Sequence, residues 1–221
     1  VYASLGDHEK ALRAYQAANQ LDLTDQESIR GIADAAFGQQ DWATALTNYQ
    51  KVLTSLGDED VDERTDVYFR LGAIKQGQGQ DRQAINNYEK ALALNGEHRP
   101  TLDALVDIYG KANDWKQVAE YKRQILDSVF DGEERYGILI EIGDLWADRE
   151  KNAHKAIEAY EEALELKPKD HVLLHKILQA YQAAEEWQKM VDTLDAIRSL
   201  EERPDRQARY LFTQAQIYRD K

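Results

Sequence analysis

Small and large side chains recur along the chain at a spacing that predicts pairs of packed helices. A small or apolar residue is followed four positions later by a long or aromatic one, so both fall on one face of a helix. The leading residues of the six copies are Ala11, Ala45, Ala84, Val118, Ala156 and Met190, at spacings of 34, 39, 34, 38 and 34. A period of this size is typical of a helical repeat array.

A second, longer period groups these units in twos. Trp42, Trp115 and Trp187 lie 73 and 72 residues apart, and an acidic residue precedes each of them. Acidic joints follow at 57–64, 131–135 and 201–205, where the spacing between units lengthens. We therefore interpret the chain as three copies of a double repeat. The chain has only 3 prolines, which permits uninterrupted helices.

The pattern predicts twelve helices and no strand. Glycine, asparagine and aspartate, residues suited to helix ends and turns, mark the breaks between them. The predicted helices span 8–22, 26–38, 42–56, 64–78, 81–94, 99–111, 115–128, 134–148, 153–166, 171–183, 187–200 and 206–219.

The residues around these positions resemble the tetratricopeptide repeat family. Leu71-Gly72 and Ile142-Gly143 match its large-then-small pair, Trp146 its first aromatic position and Pro168 its terminal proline, while Val106 departs from the small residue. The resemblance implies an all-α, right-handed α-solenoid of tandem antiparallel helix pairs. In such a fold Gly143 should lie where two helices nearly touch.

The same resemblance predicts a single repeat domain over residues 1–221. Its expected units are 1–25 (partial), 26–59, 65–98, 99–132, 136–170, 171–204 and 208–221 (partial). Tyr2 falls inside the first helix of a unit, and the chain stops inside another, so we expect a fragment of a longer protein. The uncapped end repeats would also allow end-to-end self-association.

Charge and composition narrow the classes of partner. The chain carries 28 Lys and Arg against 41 Asp and Glu, a net charge of −13, which disfavours nucleic acid. No apolar stretch approaches the ~20 residues of a membrane span, so no membrane insertion is expected. With no signal-peptide pattern, we expect a soluble and, by preference, cytoplasmic protein. The chain has no cysteine, which excludes disulfides and thiolate metal sites.

The sequence offers no convincing catalytic or metal constellation. Gly77-Gln78-Gly79 lacks the Lys-Ser/Thr of a phosphate loop. The acidic run at 58–62 starts like a calcium loop, but Glu63 stands where the sharp-turn glycine belongs. His171 and His175 share a helix face without a third ligand in sequence. We therefore expect no enzyme, no cofactor and no metal.

The resemblance also nominates a binding groove. Family members use positions 2, 5, 9 and 12 of each first helix to line the concave face. The corresponding residues that we select are Arg30, Asp34, Phe37, Phe69, Asp103, Asp107, Ile140, Asp144, His175, Gln179 and Phe212. They predict a peptide channel with apolar anchors at Phe69, Ile140 and Phe212 and an acidic wall. The alternative is that Phe69 and Phe212 pack beneath the joints.

The function that we favour from the sequence is a non-enzymatic scaffold or adaptor. Its concave groove would bind a peptide or helix of a partner protein, one with apolar anchors and net positive charge. The Lys-Asn pair of a carboxylate-clamp co-chaperone is absent from every repeat. A regulatory or targeting module of a larger enzyme is the alternative, and an architectural spacer is the third reading.

Overall fold

The chain folds as an array of α-helices in the computed structural model, which describes residues 7–221 and therefore excludes Tyr2. Within that range there is no β-strand. The helices are α1 (His8–Leu21), α2 (Gln26–Gly38), α3 (Trp42–Ser55), α4 (Val61–Gly77), α5 (Asp81–Leu94), α6 (Arg99–Lys111), α7 (Trp115–Ile125), α8 (Gly132–Asp144), α9 (Ala153–Leu166), α10 (His171–Ala183), α11 (Trp187–Leu200) and α12 (Pro204–Asp220). A 3₁₀ turn, Leu126–Ser128, extends α7, and a π-helix, Leu145–Arg149, extends α8.

The helix predictions are confirmed, and α2, α5, α6, α9, α10 and α11 have the predicted bounds. The largest difference at the start of a helix is at α4, which begins at Val61 and not at residue 64. The Asp60 carboxylate accepts a hydrogen bond from the backbone N–H of Gly57 at 2.8 Å and folds the joint into a turn. Asp62 and Glu63 then occupy the first turn of α4, where carboxylates are favoured by the helix dipole.

The chain divides into two compact units, Val1–Ile108 and Tyr109–Lys221, with the boundary inside α6. The core of the first unit is built from α2, α3 and α4, around residues such as Ala33, Tyr49 and Ile74. The core of the second unit extends from α7 to α11, around residues such as Ile142, Tyr160 and Ile177. The single domain over 1–221 and its repeat boundaries stay predictions.

Five turns between paired helices share one backbone device. A residue in the left-handed conformation stands immediately before the N-cap of the second helix. These residues are Gln40, Gly79, Asn113, Lys151 and Glu185. The N-cap carboxylates of Asp41 and Asp114 then accept a hydrogen bond from the third backbone N–H beyond them, at 3.2 Å in both cases. These turns coincide with the breaks predicted before residues 42, 81, 115, 153 and 187.

The two helices of a pair meet where a tyrosine ring lies on a glycine. Tyr160 of α9 covers Gly143 of α8, and a Cβ built on Gly143 would overlap the ring. Tyr88 of α5 covers Gly72 of α4 in the same way, 2.5 Å from such a Cβ. Both tyrosines are almost completely buried. The predicted close approach at Gly143 is confirmed.

The π-helix accommodates one additional residue in the fifth repeat. Gly72 and Tyr88 are 16 residues apart, whereas Gly143 and Tyr160 are 17 apart. In the first case the N–H of Gln80 bonds the carbonyl five residues back, at Lys75. In the second, the N–H of Asn152 reaches six residues back, to Trp146. The extra residue widens the last turn of the helix and leaves both flanking contacts in place.

The three tryptophans that follow the acidic residues connect neighbouring repeats. Trp42 lies 2.9 Å from a Cβ built on Gly77, at the end of α4. The Arg149 guanidinium lies 5.2 Å from the ring centroid of Trp115, and the Lys221 ammonium lies 4.4 Å from that of Trp187. Each indole therefore contacts the end of the first helix in the next repeat.

Replacing Gly143 by alanine should destabilise the protein, because the new methyl group would overlap the buried ring of Tyr160. We expect a loss of roughly 1–3 kcal/mol in the free energy of unfolding, measured by urea denaturation. Gly137→Ala is the matched control in the same helix, since no atom lies within 4 Å of its Cβ. It should raise stability by about 0.5–1 kcal/mol. Equal midpoints for the two variants would contradict the close approach.

Alkaline pH should unfold the protein through its buried tyrosines. Burial raises the pKa of Tyr49, Tyr88, Tyr160 and Tyr181, and nearby carboxylates add to the effect. Unfolded tyrosines ionise near pH 10, so the stabilisation is present below that pH and is lost as the pH rises above it. In a near-ultraviolet titration, part of the 12 tyrosines should ionise only as the helical circular dichroism disappears. Ionisation of all 12 with the helices intact would contradict this expectation.

Candidate functional site

The nominated aromatic residues of the first unit meet around one arginine. The guanidinium of Arg70 lies 4.9 Å from the ring centroid of Phe37 and 5.9 Å from that of Phe69. Both rings are half-buried. Phe37 packs edge-on against Trp42, at 5.6 Å, and Phe69 packs against His98, at 5.5 Å. These contacts bring α2 and α4 together and leave part of each ring open to solvent.

The nominated charges of the first unit all have intramolecular partners. Arg30 bonds Glu63, and the Asp34 carboxylate accepts the hydroxyl proton of Tyr49 at 2.6 Å. Asp103 pairs with Arg99 at 3.0 Å, and Asp107 accepts from the amide of Gln76 at 2.9 Å. The charge of these carboxylates is therefore partly offset by neighbouring donors, and the acidic wall stays a prediction.

The second unit contains a cavity that includes two of the nominated residues, Asp144 and Gln179. Its volume is about 290 Å³. Alanines contribute four of its walls, because their small side chains leave space between α9, α10 and the end of α8. The full lining is Asp144, Ala147, Asp148, Lys151, Ala153, Tyr160, Lys176, Gln179, Ala180 and Ala183.

Asp144 is the electrostatic centre of this cavity. Its Oδ1 accepts the hydroxyl proton of Tyr160 at 2.7 Å and a proton of the Lys176 ammonium at 2.5 Å. Burial raises the pKa of Tyr160, and the Asp144 carboxylate raises it further by accepting that hydrogen bond. Within residues 7–221, Asp148 and Lys151 make no hydrogen bond or ion pair through their side chains. The rim of the cavity thus offers one free carboxylate and one free ammonium.

The other nominated residues of the second unit lie outside this cavity. Ile140 is half-buried and packs against the core, so part of its surface is already used. His175 is exposed on α10, one turn before Gln179. Phe212 of α12 is 65% exposed, so it does not pack beneath a joint.

Sequence reasoning missed Lys176, Asp148 and Lys151 as cavity residues. Lys176 directly follows His175, which occupies position 5 of its repeat. The repeat consensus therefore did not predict that the Lys176 side chain would contact Asp144 on α8. Asp148 lies in the π-helix, and Lys151 follows its last residue by two positions. The 17-residue separation of Gly143 and Tyr160, one more than that of Gly72 and Tyr88, was the available sign of an irregularity there.

Two kinds of site are absent from the part of the chain that the structure describes. No three His, Cys, Asp or Glu side chains in residues 7–221 are grouped so that they could hold a metal ion. No helix in the same range is both long and apolar enough to cross a bilayer.

Two parts of the chain match a known family of helical repeats. Profiles of the Tetratricopeptide repeat match residues 25–97 and 146–170. Tetratricopeptide repeat protein 37 of Xenopus laevis is 28% identical over 104 residues, which are 47% of this chain and 6% of that protein. The human protein O-mannosyl-transferase TMTC1 is 24% identical over 144 residues, which are 60% of this chain and 16% of that protein. The chain thus spans a small part of the length of these relatives.

Solved structures show the same fold at low sequence identity. The C-terminal part of a TPR repeat-containing protein from Cytophaga hutchinsonii has a TM-score of 0.57 and 14% identity, covering 99% of this chain and 87% of that one. YrrB, described as a TPR protein with an unusual peptide-binding site, has a TM-score of 0.52 and 18% identity, covering 79% of this chain and 85% of that one. Such repeats are typical of protein–protein interaction scaffolds. The helix pairs, their glycine–tyrosine contacts and the two matching profiles together support a tetratricopeptide repeat protein.

Proposed function

We propose that the chain is a protein-binding scaffold whose second unit holds a segment of a partner protein at the cavity lined by Asp144 and Gln179. The observation that carries this proposal is the cavity itself. Its volume of about 290 Å³ is close to the lower end of the range for ligand pockets. Its alanine walls leave space that a large side chain of the partner would fill.

The lining of the cavity suits a peptide side chain with an apolar stem. The methyl groups of Ala147, Ala180 and Ala183 offer apolar surface, and burying such surface stabilises a complex by about 25 cal/mol per Å² before binding costs. Gln179 adds an amide that can donate to and accept from a peptide backbone. Ligand pockets typically combine apolar walls with a few polar groups, which fix the orientation of the ligand.

The charge of the chain favours a basic partner. Inside the cavity Lys151 and Lys176 balance Asp144 and Asp148, so the local charge alone does not select a sign. The net charge of −13 favours a positively charged partner, because the summed electrostatic field raises the association rate of a cation. We therefore propose a partner segment with apolar anchors and net positive charge, whose association slows as salt is added.

The alternative is a regulatory or targeting module within a larger enzyme. It is supported by the alignment with the O-mannosyl-transferase TMTC1, in which the matched part is 16% of the protein. The two proposals differ in what accompanies the repeats. In both, the role that we propose for this chain is binding and not chemistry.

A displayed library of random peptides, selected on this chain, tests the cavity directly. We expect enriched peptides to combine apolar and basic residues, and to bind in fluorescence polarisation. Gln179→Trp should weaken their binding roughly tenfold or more, because the indole would occupy the cavity. Gln182→Trp is the matched control: Gln182 is exposed on the same helix, α10, and does not line the cavity.

Two results would contradict the proposed site. One is that no peptide is enriched on the folded chain, with folding checked by circular dichroism. The other is that Gln179→Trp and Gln182→Trp have the same effect on every enriched peptide.

A further inference from the structure

The position five residues before each repeated tryptophan differs among the three double repeats. Phe37 precedes Trp42, Gly110 precedes Trp115, and Gln182 precedes Trp187. The helices that carry them, α2, α6 and α10, each have 13 residues, and each of these residues is the twelfth. In the first double repeat, the ring of Phe37 meets Trp42 edge-on, with centroids 5.6 Å apart.

The second double repeat has no ring at the position of Phe37, because Gly110 stands there. No atom lies within 4 Å of a Cβ built on Gly110. Trp115 instead lines a cleft of about 380 Å³, together with the apolar side chains of Val118 and Leu145. The cleft is lined entirely by residues of α7, α8 and the π-helix, all within the second unit.

The opposite side of the cleft differs as well. The glycines under the tyrosines, Gly72 and Gly143, align the two repeats. Five residues beyond them stand Gly77, which contacts Trp42, and Asp148, which lines the cleft in the π-helix. Two residues before them stand Arg70 and Glu141. Arg70 lies over the Phe37 ring, at 4.9 Å, whereas Glu141 is an acid at the edge of the cleft.

We propose that the Trp115 cleft binds an aromatic side chain of a partner protein that is adjacent to an arginine or lysine. The partner would supply the ring and the cation that Phe37 and Arg70 supply within the first unit. The ring would pack edge-on against Trp115, since aromatic pairs prefer that geometry. The cation would face Asp148, whose carboxylate has no hydrogen bond or ion pair within residues 7–221.

The charges around the cleft favour a cation beside the ring. Lys122 already bonds Glu141 at 2.5 Å, and Arg149 lies over Trp115, 5.2 Å from the ring centroid. Asp144 is held by Tyr160 and Lys176 on the side of the cavity described above. Asp148 is therefore the carboxylate that remains for a partner. The cleft shares Asp144 and Asp148 with the alanine-walled cavity, but its other lining residues differ and its proposal does not depend on peptide binding there.

The test uses a probe that contains only the two proposed groups, N-acetyl-phenylalanyl-arginine amide. Amide and indole N–H signals of the ¹⁵N-labelled full chain are followed by NMR. The chain has 4 tryptophans, so the Trp115 indole signal is assigned by its loss in Trp115→Phe. We expect the probe to shift this signal saturably. The dipeptides with alanine in place of phenylalanine, or glutamate in place of arginine, should bind roughly tenfold more weakly or worse.

A substitution of Gly110 tests whether the missing side chain at this position permits the probe to bind. Gly110→Phe should place a ring where Phe37 stands in the first unit and so abolish the probe-dependent shift. Gly137→Phe is the matched control, since it adds the same ring at another helix position with open space around it. Asp148→Asn keeps the cleft but should remove the preference for arginine over glutamate, so this variant tests the proposal even if Gly110→Phe does not fold.

The proposal would be overturned if the Trp115 indole signal did not shift at the highest soluble concentration of the probe. It would equally be overturned if the alanine dipeptide bound as well as the phenylalanine one. A shift that persists in folded Gly110→Phe, or an arginine preference that persists in Asp148→Asn, would also contradict it. Loss of peptide binding in Gln179→Trp bears on the other cavity alone, so the two proposals can fail separately.

Discussion

The contact between a tyrosine ring and a facing glycine sets the distance between the helices of a pair. The ring lies directly on the glycine at two such contacts, Tyr88 on Gly72 and Tyr160 on Gly143. A residue with a side chain in place of either glycine would push the two helix backbones apart. The ring is then held by its hydroxyl, which donates to Gln76 in the first unit and to Asp144 in the second. Since Asp144 is also a wall of the cavity, the packing of the core and the polarity of the site depend on one hydrogen bond. A substitution at Asp144 would therefore change both the packing of Tyr160 and the polarity of the cavity.

The fold was predictable from the sequence because its determinants are local and periodic. The spacing of Ala84 and Tyr88, the N-cap at Asp41 and the glycine at 143 each lie within one helix pair, and the structure confirms the helices that they predict. The site was less predictable because its geometry depends on contacts between helices of different repeats. The pairing of Lys176 with Asp144 spans 32 residues and has no repeated counterpart among the nominated positions. Likewise, α4 begins at Val61, three residues before the predicted start. The carboxylate of Asp60 accepts a hydrogen bond from the backbone N–H of Gly57 in the preceding loop, and not from an N–H of the helix.

Charge acts at two ranges in this protein. The carboxylates nominated from the sequence are mostly engaged close at hand, Asp34 by Tyr49 and Asp103 by Arg99. The exposed ion pair of Asp103 with Arg99 contributes little to stability, typically under about 1 kcal/mol. The excess of acidic residues over the whole chain nevertheless leaves a field that extends to roughly the Debye length of 8–10 Å. Specificity for a partner would then come from the few groups without an internal partner, such as Asp148, while the overall charge governs how often a partner arrives.

The π-helix shows where this architecture tolerates a change in length. An additional residue in the body of α8 would rotate every later side chain by about 100° and carry Gly143 away from Tyr160. Placed after Gly143, it is absorbed by one widened turn, and Asn152 still caps α9. The last turn of a first helix is thus a point at which insertions and deletions can remodel a binding surface during evolution while the core remains the same. Variation in repeat length among related chains should therefore accumulate next to their ligand-contacting residues.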